Sequence, residues 1–593
     1  MGKRETLIKK FLAWRIRYVS NRQFMMLLSV IVGVAAGLAA VVIKKSVGFI
    51  HHLVQGVISL QGFEWLYLIA PGVGILLTVL FIRIVVRRPV RHGIPNVLYS
   101  ISKNKGQMNR HNMVSSVIAS SLTVGFGGSV GLEGPTVSTG AAIGANLGKA
   151  LHLNYRQITL LLGCACAAAM SAIFKAPIAG IVFALEVIML DLTLASLVPL
   201  LLCSASAVVV SYLFLGQEVV YPFDIEHTYT LKELIFYVLL GLGCGLVATY
   251  FTRMYKYIER LFEKIQSGWN RLLFGALTLG VLMIFFPHLF GEGYEVINGA
   301  LRGDLYYLHD LGVFAHINDT FINFVIIMVF TIGVKVIATS ITFGAGGVGG
   351  IFAPTLFMGA NTGVLFASLI NKFGWAELPV KNFALIGMAG LIAGVLHAPL
   401  TGLFLIADLS GGYSMFLPLM ITATISYVTA KSFEEHSVYT HQLAKRKELL
   451  THDKDQNVMT MMDVNKLIET DFAVIPPDAT LGDLVKVITT AHRNLFPVVD
   501  KNDMLKGMVK MDDIRDIIFK PEKYEKVKVK DLMYMPEYFI SPDDSMEELV
   551  EIFRKSSRFN VAVIDKGKYK GFISRANAFT AYRNHLKMFS SGY

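Results

Sequence analysis

The strongest constraint on the fold is a series of apolar segments, several of which are too short or too broken to cross a bilayer. Residues 24–44 and 65–86 are each long enough to span about 30 Å of hydrocarbon, which takes about 20 helical residues. Stretches such as 113–124, 136–150 and 177–190 are short or interrupted by Gly and Pro. Such backbone is tolerated at membrane depth only where protein covers it or where it lines a cavity. The sequence therefore predicts an all-α polytopic membrane domain with broken helices.

The same region contains an internal repeat. G-L-E-G-P at 131–135 returns 219 positions later as G-I-F-A-P at 350–354. F-K-A-P-I-A-G at 174–180 returns 222 positions later as L-H-A-P-L-T-G at 396–402. Because two motifs recur in the same order at nearly the same offset, we expect two repeated halves. The sequence leaves open whether the halves are inverted.

Composition supports a membrane protein for the first part of the chain. Of 593 residues, 54% are hydrophobic and 17% are charged, and nearly all long apolar runs precede about residue 431. Basic residues with only one acid among them precede the first span, which predicts a cytoplasmic N-terminus and explains the charge of +12 without nucleic acid. These basic residues are Lys3, Arg4, Lys9, Lys10, Arg15, Arg17 and Arg22.

Cysteine spacing and sequence motifs favour neither a metal site nor an enzyme. The cysteines form no C-x-x-C pair and lie in apolar stretches, so we interpret them as buried small hydrophobic residues. They are Cys164, Cys166, Cys203 and Cys244. The sequence contains no Walker-type loop, zinc spacing or nucleophile elbow, and we expect no cleaved signal peptide.

After the membrane part the sequence becomes that of a soluble α/β protein. Two units, 65 or 66 positions apart, each follow the order strand, helix, strand, strand, helix. Thr480 and Ser545 directly precede the helical runs, as N-caps do. The predicted parts are an N-terminal segment 1–23, a membrane domain 24–440, a linker 441–460 and two α/β domains, 461–520 and 526–587.

Glu133 is the acid with the clearest functional signature. It lies between glycines in an apolar sequence, and Pro135 then begins a predicted helix. A helix start presents free N–H groups and partial positive charge, so it is an anion site that a carboxylate can occupy or leave. An ionisable residue inside the membrane is costly and usually functional.

The segments 125–135, 350–354 and H-G-I-P at 92–95 resemble the CLC family of chloride channels and chloride/proton exchangers, over roughly residues 25–440. The resemblance implies a homodimer with one chloride pore per subunit, in the plasma (inner) membrane, with the N-terminus and the soluble tail in the cytoplasm. It also implies that Glu133 is the external gate. The chloride-binding residues that it implies are His92, Gly93, Ile94, Gly350, Ile351, Phe352 and Tyr439.

Two departures from the family pattern bear on mechanism. His92 stands where the family commonly has Ser, and it either changes ion occupancy through its charge or only packs beside backbone amides. Glu186-Val187 stands where exchangers carry two successive acids, and an apolar residue cannot relay a proton. We therefore favour passive chloride conduction. A chloride/proton antiporter remains the alternative, with Glu133 and Glu186 as its candidate proton path.

The tail resembles a tandem pair of CBS domains, which often bind adenine nucleotides. The matching positions are Asp513 in the first unit and Ser574 and Asn577 in the second, although Lys510 replaces a hydroxyl and Asn577 replaces an Asp. The other interpretation is a dimerising or stabilising module. No cofactor is required in either case, and chloride is the transported ligand.

Two further classes of function are weaker. A CBS-regulated cation channel needs several carboxylates along its pore, and the apolar runs contain mainly Glu133 and Glu186. An intramembrane enzyme that uses Glu133 as a base lacks a partner nucleophile or metal pair. The preference among chloride, nitrate and fluoride is left open by the sequence.

Overall fold

The structure is a computed structural model that divides into two compact units, residues 1–448 and 449–593. The first unit is built from helices, and the second from small sheets and helices. The described residues are 15, 17–58, 65–88, 93–188, 194–217, 229–303, 307–308, 320–445, 459, 462–556 and 558–590.

Among the residues that the structure describes, the first unit contains two series of eight helices. The first series is α1 Asn21–Ile58, α2 Leu66–Leu80, α3 Gly93–Ser102, α4 Asn112–Gly125, α5 Glu133–Ala150, α6 Tyr155–Phe174, α7 Pro177–Glu186 and α8 Leu194–Leu215. The second is α9 Leu234–Lys264, α10 Gly268–Phe285, α11 Tyr294–Arg302, α12 Phe321–Gly344, α13 Phe352–Lys372, α14 Val380–Leu396, α15 Pro399–Leu409 and α16 Phe416–Phe433. A short helix, α17 His441–Lys445, follows.

The two series correspond helix by helix. In the first, α5 packs against α6, and α8 packs against α1 and α6. In the second, α13 packs against α14, and α16 packs against α9 and α14. The halves contact each other through α2 with α10 and through α7 with α15. The predicted two-half membrane domain is confirmed.

The repeated A-P motifs encode the same turn twice. Lys175 ends α6 with φ +57°, and His397 ends α14 with φ +56°. A residue with a left-handed backbone conformation ends a helix. Proline is suited to the first position of a helix, because the N–H that it lacks would have no partner within the helix there. Pro177 and Pro399 accordingly begin the short helices α7 and α15.

The helices fall into a long group and a short group, as the lengths of the apolar segments predict. Within the described ranges, eight helices are long and apolar enough to cross a membrane, and α4, α7, α14 and α15 are shorter. Two predictions from the sequence need correction. The sequence predicts one apolar piece at 399–430, but the structure divides it between α15 and α16. It also predicts a polar loop near 292–318, but residues 294–302 of that stretch form α11.

The tail forms two small sheets. In the first, β1 Leu495–Val499 pairs antiparallel with β2 Leu505–Lys510. In the second, β3 Phe539–Ile540 lies parallel to β4 Asn560–Asp565, which pairs antiparallel with β5 Lys568–Ser574. The helices are α18 Leu481–Thr490, α19 Met511–Ile514, α20 Val529–Leu532, α21 Met546–Ser556 and α22 Arg575–Ser590.

The two tail units are joined crosswise. The backbone of Glu469, in the first unit, pairs with Phe572 in β5 of the second. The backbone of Tyr534, in the second unit, pairs with Met508 in β2 of the first. The sequence also predicts a strand at 472–475, but the structure has a single bridge in that stretch, between Ile475 and Val498. Each unit therefore adds one backbone bridge to the sheet of the other.

Candidate functional site

Three helix starts meet inside the membrane domain. A Cβ added to Gly93 would lie 2.7 Å from the carbonyl carbon of Gly134, and one added to Gly350 would lie 2.8 Å from the nitrogen of Gly134. The starts of α3, α5 and α13 are therefore in backbone contact, which only glycine allows. Because helix starts carry N–H groups without partners inside the helix, this helix junction favours an anion.

Two peptide hydrogen bonds fix the loops that lead into α5 and α13. The Gly131 N–H donates to the Gly350 carbonyl oxygen at 2.8 Å, and the Gly350 N–H donates to the Gly131 oxygen at 2.7 Å. The bridge is antiparallel and joins equivalent positions of the two halves. It brings the first residues of both helices, Glu133 and Phe352, to the same place.

The Glu133 side chain lies in this helix junction. Glu133 is 1% exposed, and its carboxylate lies next to its own backbone N–H and that of Ala353 in α13. The Tyr294 hydroxyl lies 3.4 Å from the Glu133 Oε1 atom. The Oε2 atom is buried and has no hydrogen-bond partner among the described residues.

Five of the seven predicted chloride-binding residues lie at the same helix junction. Phe352 is fully buried, and its ring centroid lies 5.3 Å from that of Phe174 at the end of α6. The residues found at the helix junction are Gly93, Ile94, Gly350, Ile351 and Phe352. His92 lies outside the described residues. The chloride-binding role of each residue stays a prediction.

Tyr439 follows α16 and is buried inside the membrane unit. Its side chain is 5% exposed and lies within electrostatic range of Glu133 and Tyr255. In the part of the chain that the structure describes, its hydroxyl has no hydrogen-bond partner. An unpaired buried hydroxyl is costly unless a ligand accepts its proton, so its geometry is suited to an anion.

The structure adds polar residues near Glu133 that the sequence interpretation missed. Glu292 and Tyr294 flank the start of α11, and Lys335 comes from α12. The Lys335 ammonium donates to the Ser129 hydroxyl at 2.9 Å and lies 4.7 Å from the Phe357 ring centroid. One signal was available: G-E-G-Y at 291–294 begins the helix that corresponds to α3, where H-G-I-P stands in the first half.

Glu186 has an equivalent partner in the second half. Its carboxylate accepts hydrogen bonds from the Leu400 N–H at 3.1 Å and from the Thr401 N–H and hydroxyl, both at 2.7 Å. Asp408, 222 positions later, accepts from the Ile178 N–H at 3.1 Å and the Ala179 N–H at 3.2 Å. Each carboxylate thus caps the first turn of the other half's short helix, α15 or α7.

The predicted nucleotide-binding residues of the tail contact other parts of the tail. Ser574 donates to the Glu469 carboxylate at 2.5 Å, and the Asn577 amide donates to the Leu467 carbonyl oxygen at 3.2 Å. Asp513 is in α19, next to Asp512, which lines a separate cavity of about 520 Å³. That cavity also contains Phe472, Arg493, Lys510, Tyr534, Arg558 and Phe559.

Comparison with known proteins agrees with this architecture. The family profile described as "Voltage gated chloride channel" matches residues 73–431, and the CBS domain profile matches residues 464–520 and 529–584. "Putative chloride channel protein ClcB-like" of Ralstonia nicotianae is 30% identical over 391 residues, 65% of this chain and 87% of that protein. "Chloride channel protein CLC-f" of Arabidopsis thaliana is 24% identical over 554 residues, 83% of this chain and 69% of that protein.

Solved structures share the fold. A slow cyanobacterial Cl⁻/H⁺ antiporter aligns with a TM-score of 0.62 at 21% identity, covering 72% of this chain and 98% of that one. A eukaryotic CLC transporter aligns with a TM-score of 0.60 at 18% identity, covering 93% and 97%. Because the family profile spans more than half of the sequence, this chain belongs to the CLC family of chloride transport proteins and has two CBS domains at its C-terminus.

Proposed function

We propose that this protein conducts chloride passively across the membrane and that Glu133 gates the path. The observation that carries the proposal is the Glu133 carboxylate at the junction of three helix starts, next to the Ala353 N–H. An ionised carboxylate there competes with chloride for the same donors. Protonation removes its charge, so the side chain leaves and chloride enters. Acid on the gate side therefore opens the path.

Two further groups support chloride coordination beyond the gate. The helix start at Gly350, Ile351 and Phe352 directs backbone N–H groups at the helix junction. Tyr439 supplies a buried hydroxyl that is free to donate within the described structure. A chloride ion held between them needs no resident metal or cofactor.

The surroundings of Glu186 support passive conduction over exchange. Its carboxylate accepts three hydrogen bonds from the first turn of α15, which gives it a structural role as a cap. Val187, where exchangers carry an acid, is 6% exposed and apolar. Neither residue is suited to relaying protons from the opposite side.

A chloride/proton antiporter is the second candidate. The observation that favours it is the polar contact between Glu133 and Tyr294, because a buried carboxylate beside a hydroxyl can hold a proton within the membrane. Purified protein in liposomes with a chloride gradient distinguishes the two. Robust chloride flux without uphill proton movement supports conduction, and proton pumping supports exchange. A pH dependence that survives Glu133→Gln unchanged would rule out the gate.

We also propose that the tail binds an adenine nucleotide in its described cavity. Arg493, Lys510 and Arg558 supply positive charge for phosphate, and the aromatic rings of Tyr534 and Phe559 suit a base. ATP should raise the unfolding temperature of the full protein, and Arg558→Ala should reduce that shift. An unchanged unfolding temperature at millimolar ATP would favour a dimerising module instead.

The remaining expectations belong to the same proposal. The protein forms a homodimer with one pore per subunit and lies in the plasma (inner) membrane with both ends in the cytoplasm. Mass measurement in detergent tests the dimer. Labelling of single cysteines introduced near either end, in sealed cells, tests the orientation.

A further inference from the structure

A second carboxylate reaches Glu133 from the other half of the membrane domain. Glu292 precedes Gly293, whose φ of +84° turns the chain into α11. Its carboxylate hydrogen-bonds the Tyr294 hydroxyl and the backbone N–H of Leu132, the residue before Glu133. Its Oε1 atom is buried without a partner in the described ranges. The backbone of Leu132 and the ring of Tyr294 thus connect Glu292 with Glu133.

Counting protons shows what this arrangement requires. A phenolic hydroxyl has one proton to donate, and an ionised carboxylate only accepts hydrogen bonds. Tyr294 contacts both the Glu133 carboxylate, at 3.4 Å, and the Glu292 carboxylate. If both acids are ionised, one of these two contacts has no proton. Both contacts become hydrogen bonds when one additional proton resides on one of the acids.

We propose that Glu133 and Glu292, here called the carboxylate pair, share one proton through Tyr294 and that Glu292 delivers it to the gate. In the transfer, Glu292 gives its proton to the Tyr294 oxygen while the Tyr294 hydroxyl proton moves to Glu133. Tyr294 ends unchanged, and Glu292 takes a new proton from water. The inference rests on the proposed gating role of Glu133 and gives that role a proton donor.

Exposure gives the transfer a direction. Glu295 is exposed, Glu292 and Tyr294 are half-buried, and Glu133 is buried. Glu292 is therefore the residue of the pair nearer to solvent, although its Oε1 atom is buried. In the proposed transfer, a solvent proton reaches Glu292 first and Glu133 second.

Two cations lie near Glu292, and one of them directs its protons at neutral groups. Lys44 of α1 and Lys335 of α12 are the cations that act on Glu292. The Lys335 ammonium donates to Ser129 and to the carbonyl oxygens of Leu289 and Gly291, so its protons point at neutral acceptors. The other titratable groups facing this region are His51 of α1, His288 before α11, Glu295 of α11 and Tyr439 after α16.

The test is the outer-pH dependence of chloride flux in liposomes. Glu292→Gln removes the neighbouring charge and the proton donor but keeps the size and polarity of the side chain. It should shift the midpoint of acid activation to lower pH by at least about 0.5 unit. Tyr294→Phe should also move the midpoint away from the wild-type value, because it removes the hydroxyl that connects the two carboxylates. Glu295→Gln, an exposed carboxylate three residues away, is the matched control and should keep the wild-type midpoint.

Glu133→Gln separates the two proposals. If Glu133→Gln keeps the wild-type pH profile, the gate itself is wrong. If Glu133→Gln loses the pH dependence while Glu292→Gln and Tyr294→Phe keep the wild-type midpoint, the gate stands and the shared proton is overturned. Should Glu292→Gln fail to fold, Tyr294→Phe decides. Infrared spectroscopy should also show a protonated carboxyl band at neutral pH that Glu292→Gln alters, and its absence from the wild type would contradict the inference.

Discussion

The two halves of the membrane domain use the same backbone for different purposes. At the end of the short helices both halves have an acid, Glu186 and Asp408, and each acid caps the other half's helix. At the start of the long central helices the halves differ, because Glu133 stands in one and Phe352 in the other. Positions where the halves agree stabilise the fold, and the position where they differ is the candidate gate.

The difference is one of chemistry and not of backbone. Each helix start follows a similar glycine-rich loop, and the two loops pair through Gly131 and Gly350. Glu133 has a titratable carboxylate at its helix start, whereas Phe352 has an uncharged ring that packs on Phe174. In the proposed mechanism, two equivalent helix starts with only one titratable residue between them give one gate and not two.

The largest expected effect comes from giving the second half a carboxylate as well. Phe352→Glu buries a charge without a built partner, which costs about 3–5 kcal/mol of stability. Chloride flux at neutral pH should fall at least tenfold and recover partly in acid. Phe352→Leu is the control for lost ring packing. Wild-type flux in Phe352→Glu would show that the second helix start is not on the ion path.

The next largest effect is expected from removing the reciprocal helix caps, Glu186 and Asp408. Glu186→Ala and Asp408→Ala each leave first-turn N–H groups unpaired, including that of buried Thr401 or Ala179, and should lower the free energy of unfolding by about 1–3 kcal/mol. Thermal unfolding in detergent measures both, and Glu186→Gln, which keeps an acceptor, should lose less. If Glu186→Ala abolished proton coupling without changing stability, Glu186 would be part of a proton path and not a cap.

Tyr439, which follows the last helix of the second half, tests whether a residue outside the repeated motifs contributes to chloride binding. Tyr439→Phe removes a hydroxyl that has no partner among the described residues, so stability should not fall. Chloride binding, measured by calorimetry, should weaken by about 2–10-fold, the worth of one hydrogen bond. Tyr250→Phe is the matched control, because the Tyr250 hydroxyl donates to the Gly333 carbonyl at 3.0 Å. It should lower stability and leave chloride affinity unchanged.

The smallest effect concerns the two tail units, whose helices begin alike. Thr480 and Asp483 form a capping box at α18, and Ser545 and Glu548 exchange the same contacts at α21. Thr480→Ala and Ser545→Ala should each cost about 1 kcal/mol. Hydrogen exchange in the full chain, corrected for intrinsic rates, measures the loss helix by helix. Exchange that is equal to wild type would mean that the caps add nothing.

The Thr480 cap should also depend on pH. Hydrogen bonds from the Thr480 hydroxyl and N–H lower the pKa of Asp483 in the folded tail. A carboxyl with a lowered folded pKa stabilises the protein at pH values above its unfolded pKa. Protection of α18 should therefore be complete near neutral pH and be lost as the pH falls below about 4. Asp483→Asn should remove this pH dependence.

The sequence allowed us to predict the helix starts that are marked by repeated motifs or by Gly and Pro. Gly and Pro around Glu133, and again around Phe352, mark helix starts because few other residues fit there. Glu292 and Tyr294 escaped notice because their stretch looks like a polar loop, and only tertiary packing brings it against Leu132 and Glu133. The crosswise pairing of Glu469 escaped for the same reason, since a single bridge has no local pattern.

The reciprocal caps also mean that α7 is synthesised before the residue that caps it. The amides of Ile178 and Ala179 receive their acceptor from Asp408, about 230 positions later in the chain. At about 5–20 residues per second, translation delivers Asp408 roughly 10–45 s after α7 is made. During that interval the first half waits in the membrane with an uncapped helix. Ribosome stalling or early termination between the halves therefore leaves an incomplete intermediate for quality control to recognise.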